Sequence, residues 1–186
     1  MFTGIVQAVG KIVRTDPLEI DCGGLGLADV AVGDSICVQG VCLTVTTIRP
    51  RGFTADVSAE TLRVSAGLDR PGAVNLEKSL ALGGKLGGHL VTGHVDGVGV
   101  VVAFSRGVLE VKAPKDLARY IARKGSICID GVSLTVNEVG ARSFGVNLIP
   151  HTATVTVLKE YRIGTRVNLE VDIIARYLER LTQPAA

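Results

Sequence analysis

Gly33-Asp34-Ser35-Ile36-Cys37-Val38-Gln39-Gly40-Val41-Cys42-Leu43-Thr44-Val45 recurs further along the chain as Lys124-Gly125-Ser126-Ile127-Cys128-Ile129-Asp130-Gly131-Val132-Ser133-Leu134-Thr135-Val136. A near-copy of this length is the mark of a tandem duplication. The 186 residues therefore divide into two halves of roughly 90, each long enough to bury its own core.

Working outward, Thr3-Gly4-Ile5-Val6 aligns with Thr92-Gly93-His94-Val95, and Val74-Asn75-Leu76-Glu77 aligns with Val167-Asn168-Leu169-Glu170. The spacing drifts from 89 residues at Thr3 and Thr92 to 93 at Asn75 and Asn168, so insertions fall in loops while strand blocks stay in register. The first copy begins at Met1. The chain start is accordingly expected to be an ordered strand start, lying near whatever Leu90 to Val95 also borders.

Ser35 to Gln39 and Val41 to Thr47 alternate apolar and polar residues, with Gly40 placed for a bulge or sharp bend. Phe53 to Val57 and Phe144 to Leu148 read as the next strands, each after a turn. Gly23 to Val30 reads as a turn with a short helical segment, and Ala113 to Ile121, with Pro114 near its start, as a clearer helix. About six short strands per half predict an all-β chain of two tandem six-stranded Greek-key barrels. Residues 1–88 would form the first barrel, 89–172 the second, and 173–186 a C-terminal helix and tail. Ile173, Ile174, Tyr177, Leu178 and Leu181 fall on one face of that helix, which marks it as an oligomerisation element, with packing back on its own barrel as the alternative.

Composition narrows the partners. Twenty basic and 18 acidic residues are spread along the chain, with no basic stripe for nucleic acid. The longest wholly apolar run, Val98 to Phe104, is too short for a membrane span, and Met1-Phe2-Thr3 opens without a leader pattern. We expect a soluble cytoplasmic protein with a small-molecule partner. Cys22, Cys37, Cys42 and Cys128 form no CxxC pair, and three histidines offer no metal-ligand spacing, so reduced thiols and no metal are expected. Cys37 and Cys128 hold equivalent strand positions and read as small buried hydrophobes.

The places where the copies disagree are the candidates for chemistry. Cys42 faces Ser133, Ile5 faces His94, Glu60 faces His151, Gln39 faces Asp130, and Met1-Phe2 faces Leu90-Val91. Cys42 is a soft nucleophile or weak acid where the second copy has a hydroxyl. His89 and His94 flank Leu90-Val91-Thr92-Gly93; one suits acid–base or orienting work and the other a structural role, and His94 is the favoured one.

Met1-Phe2-Thr3-Gly4-Ile5-Val6, Gly40-Val41-Cys42-Leu43-Thr44-Val45, Gly87-Gly88-His89-Leu90-Val91-Thr92-Gly93-His94, Gly131-Val132-Ser133-Leu134-Thr135-Val136 and Leu148-Ile149-Pro150-His151-Thr152, in that order, resemble the riboflavin synthase family of alpha-chain type. The resemblance spans nearly the whole chain. Val41 stands where some members carry a second cysteine.

The resemblance implies a cofactor-free dismutation. Two molecules of 6,7-dimethyl-8-ribityllumazine react, one giving a four-carbon unit to the other, to yield riboflavin and 5-amino-6-ribitylaminouracil. It also implies a homotrimer, with C-terminal helices at the trimer contact and active sites between one subunit's first barrel and a neighbour's second. Association with lumazine synthase is a candidate partnership on the same ground. Carried over by motif, the first barrel's pocket uses Gly4, Ile5, Val6, Cys42, Leu43, Thr44, Asp56, Val57, Ser58, Ala59, Glu60 and Thr61. The second barrel's pocket uses Gly93, His94, Val95, Lys124, Ser133, Leu134, Thr135, Asn147, Leu148, Ile149, Pro150, His151 and Thr152. Cys42, Ser35, His94 and Ser133 are ranked first for chemistry, with Phe2 and Asp172 in support. A non-catalytic lumazine- or flavin-binding paralogue is the alternative of a different class, and a barrel module for other ligands is a further one.

Overall fold

The computed structural model describes residues 1–183; residues 184–186 of the expected tail lie outside the described residues. Two closed antiparallel barrels follow one another. The first is built from β1 (Ala8–Thr15), β2 (Leu18–Asp21), β3 (Ser35–Val38), β4 (Val41–Arg49), β5 (Gly52–Ala55) and β6 (Gly72–Lys78), closed in the order β1-β2-β5-β4-β3-β6. The second uses β7 (Gly97–Ser105), β8 (Val108–Lys112), β9 (Ser126–Ile129), β10 (Val132–Val139), β11 (Ser143–Asn147) and β12 (Arg166–Val171) in the equivalent order. Closure leaves no unpaired edge in either ladder.

The duplicated stretch forms the β3–β4 and β9–β10 hairpins. Val38 pairs with Val41, and Ile129 with Val132, so each loop holds two residues. Gln39 (φ 51°) and Gly40 (φ 82°), like Asp130 (φ 47°) and Gly131 (φ 81°), are both left-handed, the backbone of a type I′ turn. Gly40 therefore makes the sharp bend, the second of the two expectations for it, and not a bulge. Period-two alternation sends Ile36, Val38, Val41, Leu43 and Val45 into the first core, and Ile127, Ile129, Val132, Leu134 and Val136 into the second. The cross-strand pairs Ser35–Thr44 and Cys37–Cys42, matched by Ser126–Thr135 and Cys128–Ser133, stand on the outer faces.

Among the described residues three short α-helices accompany the barrels. α1 (Ala59–Val64) starts at Ser58, whose hydroxyl accepts the Thr61 N–H at 3.0 Å, and α2 (Pro150–Val155) starts with proline in its first turn. Neither was legible as a helix, because six residues give too little periodicity. The expected helix over Ala113 to Ile121 is only a 3-10 turn at Ala118–Tyr120, anchored by buried Leu117 and Ile121. Gly23 to Val30 contains turns and no helix, since its glycines leave too few side chains to pack. α3 (Ile173–Thr182) is capped by Asp172, whose carboxylate accepts the Ile174 N–H at 3.0 Å.

The barrels meet about an approximate twofold axis. Phe2 and Val91, equivalent positions of the two copies, bridge each other through both backbone N–H groups (2.7 and 3.1 Å). With Cys37 and Cys128 they form a separate apolar cluster. Full burial of a side chain like Phe2 is worth about 1.5–3 kcal/mol. Beside it the two hairpin turns touch so closely that a Cβ on Gly40 would lie 2.8 Å from the Gly131 nitrogen.

A polar seam completes the interface. Asn75 of β6 donates to the Asp130 carbonyl (2.9 Å) and accepts the Val157 N–H (2.9 Å). Asn168 of β12 makes the mirror set, donating to the Gln39 carbonyl (2.8 Å) and accepting the Ala66 N–H (2.7 Å). Each barrel thus satisfies loop amides of the other, which buried polar groups require.

Candidate active site

The repeat starts cross over. Val6 packs against the core of the second barrel and Val95 against the core of the first. Gly93 accepts the Cys42 N–H at 2.9 Å, and Gly4 accepts the Ser133 N–H at 2.8 Å. Both glycines are left-handed, and a Cβ on either would sit within 2.7 Å of the residue it faces. The sequence reading grouped Gly4, Ile5 and Val6 with Cys42, and Gly93, His94 and Val95 with Ser133. The structure exchanges those groups. The reason is that each start extends an outer hairpin of the opposite barrel, a non-local choice that repeat alignment leaves open.

Two faces result. On the first barrel, half-buried Cys42, exposed Thr44 and half-buried Ser35 stand near Gly93-His94-Val95. The segment Asp56 to Thr61 leads from β5 into α1, where exposed Glu60 is held by Arg63 through two hydrogen bonds (2.7 and 2.9 Å). Val57 leans on the barrel core, while Asp56, Ser58 and Ala59 are exposed. Leu43 points into the core, so only its backbone is open to a ligand.

On the second barrel, Ser133 and Thr135 stand near Gly4-Ile5-Val6, and Asn147 to Thr152 lead from β11 into α2. Asn147, Ile149, Pro150 and His151 are exposed and Thr152 is half-buried, whereas Leu134 and Leu148 belong to the core. Lys124 is exposed, reaches Asn137 at 3.3 Å, and has φ 68° where the first copy has Gly33. A non-glycine residue there is an uncommon, strained choice.

His89, the histidine that the sequence reading gives the structural role, is brought against Ser133. Its Nδ1 lies 2.7 Å from the Ser133 hydroxyl, its backbone N–H donates to Thr3 (3.1 Å), and its Nε2 is buried without a protein partner. Burial lowers its pKa from the ordinary 6.5, against the opposing charge of Asp172. The imidazole is therefore kept neutral and able to exchange a proton with Ser133. Gly88 makes this possible: a Cβ there would fall 2.1 Å from the Thr3 carbonyl and 2.7 Å from Ser133 Cβ. The available signal was Gly87-Gly88-His89 itself, since glycines beside a histidine permit close approach. His94, the favoured histidine, is exposed beside Cys42, lining a cleft of about 330 Å³ with Arg176, Tyr177 and Arg180 of α3.

Phe2, expected near the reacting groups, is wholly buried in the inter-barrel cluster. Its covered side chain holds the repeat starts and reaches no open face. Asp172 is taken up in capping α3 while its charge acts on His89. Cys37 and Cys128 are buried, and desolvation raises their thiol pKa values well above 9.0, which leaves them unreactive. Among the described residues no group of three or more His, Cys, Asp or Glu side chains could hold a metal ion.

The lumazine binding domain model matches residues 3–79 and again 92–172. Riboflavin synthase of Mycobacterium tuberculosis (strain ATCC 25618 / H37Rv) is 49% identical, over 100% of both chains. The chain belongs to the riboflavin synthase family. Family members from Photobacterium phosphoreum (42% identical, covering 97% of this chain and 88% of the relative) and Bacillus subtilis strain 168 (39%, covering 100% and 91%) extend the likeness. Among solved structures, LumP complexed with riboflavin matches with a TM-score of 0.81 at 28% identity, and LumP complexed with 6,7-dimethyl-8-(1'-D-ribityl) lumazine with 0.78 at 27%. Each of these covers 92% of this chain and 99% of the solved one.

Proposed function

We infer that this chain is a riboflavin synthase, a transferase that converts two molecules of 6,7-dimethyl-8-ribityllumazine to riboflavin and 5-amino-6-ribitylaminouracil. The full-length likeness to riboflavin synthases gives the reaction. The observation that carries the reading is the pair of faces, built on one plan and unequal in chemistry: Cys42 with His94 on one, Ser133 with His89 on the other. Two identical substrates must be treated as donor and acceptor, and unequal faces do that.

The lumazine ring is electron-poor, so its C7 methyl protons are acidic. His89 is the proposed base, acting through Ser133: the Ser133 hydroxyl takes the methyl proton as its own proton passes to His89 Nδ1, leaving an imidazolium beside the lumazine anion, with Cys42 opposite the partner ring. The open backbone of β4 and β10 would bind the ring edges, while Ser35, Thr44, Glu60, Thr135, Asn147 and His151 offer polar groups for the ribityl chains.

The faces lie open at the surface, which supports completion by a second copy. α3 supports the same arrangement. Arg176 binds Asp96, and Tyr120 and Arg119 bind Glu179, so the polar side of the helix is fixed to its own barrel. Ile174, Tyr177, Leu178 and Leu181 are left facing outward. A homotrimer joined through these helices, with sites shared between neighbours, is the proposed assembly. Four free cysteines fit a reducing, cytoplasmic setting, and no described helix is long and apolar enough to cross a membrane.

Incubating the protein with 6,7-dimethyl-8-ribityllumazine should produce the absorbance of riboflavin. Binding without turnover would instead assign the chain to the non-catalytic paralogues. Cys42→Ser should cut turnover far more than ligand binding; unchanged turnover would remove Cys42 from the chemistry.

A further inference from the structure

Each crossing segment is gripped by a buried carboxylate from the last strand of its own copy. On β12, Glu170 Oε1 accepts the Thr92 N–H (2.6 Å) and hydroxyl (2.7 Å), while Oε2 accepts the Gly93 N–H (2.8 Å). On β6, Glu77 holds Thr3 with one oxygen (2.7 and 2.8 Å) and Gly4 with the other (3.0 Å). The threonine hydroxyls in turn accept the N–H groups of His94 and Ile5, each at 3.3 Å. Glu77 and Glu170 are only 4% and 3% exposed.

A carboxylate buried this deeply costs desolvation free energy, which multiple N–H and O–H donors offset. The grip then passes across the barrel boundary. Held at its N–H by Glu170, Gly93 presents its carbonyl to the Cys42 N–H. Held by Glu77, Thr3 and Gly4 present theirs to His89 and Ser133. Neither glycine leaves space for adjustment, because its Cα already abuts the residue it faces.

We propose that Glu170 is a positioning residue for the Cys42–His94 face and Glu77 for the Ser133–His89 face, so that each face is set by a carboxylate of the opposite barrel. The proposal rests on the reading of these faces as the two halves of the reaction site. It assigns the glutamates a directed role, distinct from general support of the fold, and the direction is crossed.

The test compares Glu170→Gln with Glu77→Gln in the full chain. A glutamine keeps one acceptor oxygen but sets an NH₂ group against the glycine N–H, donor against donor, and releases the glycine. Two probes read the faces separately: the rate at which iodoacetamide alkylates Cys42, followed by peptide mass, and the NMR pH titration of the His89 ring. Glu170→Gln should change the Cys42 rate by about fivefold, the factor expected from losing one hydrogen bond of ordinary strength, and leave the His89 titration in place. Glu77→Gln should do the reverse, and both should lower kcat more than they raise KM.

Equal movement of both probes in both variants, or movement of neither, would overturn the proposal. If either glutamine variant fails to fold by circular dichroism, Thr92→Val and Thr3→Val carry the same crossed expectation through loss of a single donor. Should the wild type make no riboflavin, the functional reading fails, while the thiol and imidazole pattern still decides the positioning.

Discussion

The Tyr161 hydroxyl donates to the Asp130 carboxylate in the buried seam between the barrels. The same carboxylate accepts the Asn168 N–H at 2.7 Å. The first copy has the amide of Gln39 at this turn position, so one side of the seam is neutral and the other ionisable.

Burial lifts the Asp130 pKa from 3.8 to about 7. Between those values the folded chain holds a proton that the unfolded chain has released. Stability from this group is therefore full below 3.8 and is lost as pH rises through about 7. Asp130→Asn can still accept from Asn168 and donate to Tyr161, and asparagine tolerates the left-handed turn. Urea unfolding of the wild type should weaken between pH 5 and pH 7.5, about the window of this titration, and the variant should show a flatter profile. Equal slopes would remove Asp130 from the pH dependence.

His89→Gln should lower turnover by about a hundredfold, at the lower end of what acid–base catalysis contributes, and change ligand affinity little. Because burial holds the His89 pKa below 6.5, the acid limb of wild-type kcat/KM should lie below that pH. An acid limb above 6.5 would contradict the neutral-imidazole reading.

Gly93→Ala places a Cβ at 2.7 Å from the Cys42 nitrogen on a backbone with φ +78°. A loss of about 2 kcal/mol or more in urea unfolding is expected from strain and displacement together. A loss no larger than that of an exposed surface alanine would mean that the segment moves freely.

Leu178→Glu, or removal of residues 173–186, should reduce the sedimentation mass from that of the proposed trimer to smaller species while leaving the β-sheet circular dichroism intact. An unchanged mass would place the subunit contact elsewhere.

The sequence made the architecture legible because duplication doubles every signal. A lone alternation at Ser35 to Thr47 is ambiguous, whereas its repetition fixed two hairpins and, with the drift in spacing, told loops from strands. The Cys42–Ser133 mismatch marks equivalent positions on the outer faces of the two barrels. What could not be read was which barrel each repeat start joins, since Gly4 and Gly93 are equivalent by alignment and either partner satisfies the same hydrogen bonds. The contact of His89 with Ser133 was hidden for a related reason: the two are 44 residues apart and adjacent only after the crossing. The α1 and α2 helices were hidden by brevity, and the overread helix at Ala113 to Ile121 by a proline signal that a single 3-10 turn also satisfies.

The exchanged repeat starts also impose an order of events during synthesis. The strands of the first barrel, Ala8 through Lys78, emerge before Gly93 does. For roughly 3 to 10 seconds at ordinary translation rates, the amide of Cys42 has no partner from its own chain. Gly83-Gly84-Lys85-Leu86-Gly87-Gly88 is the hinge that carries the native segment to that amide, and shortening it would favour exchange between chains.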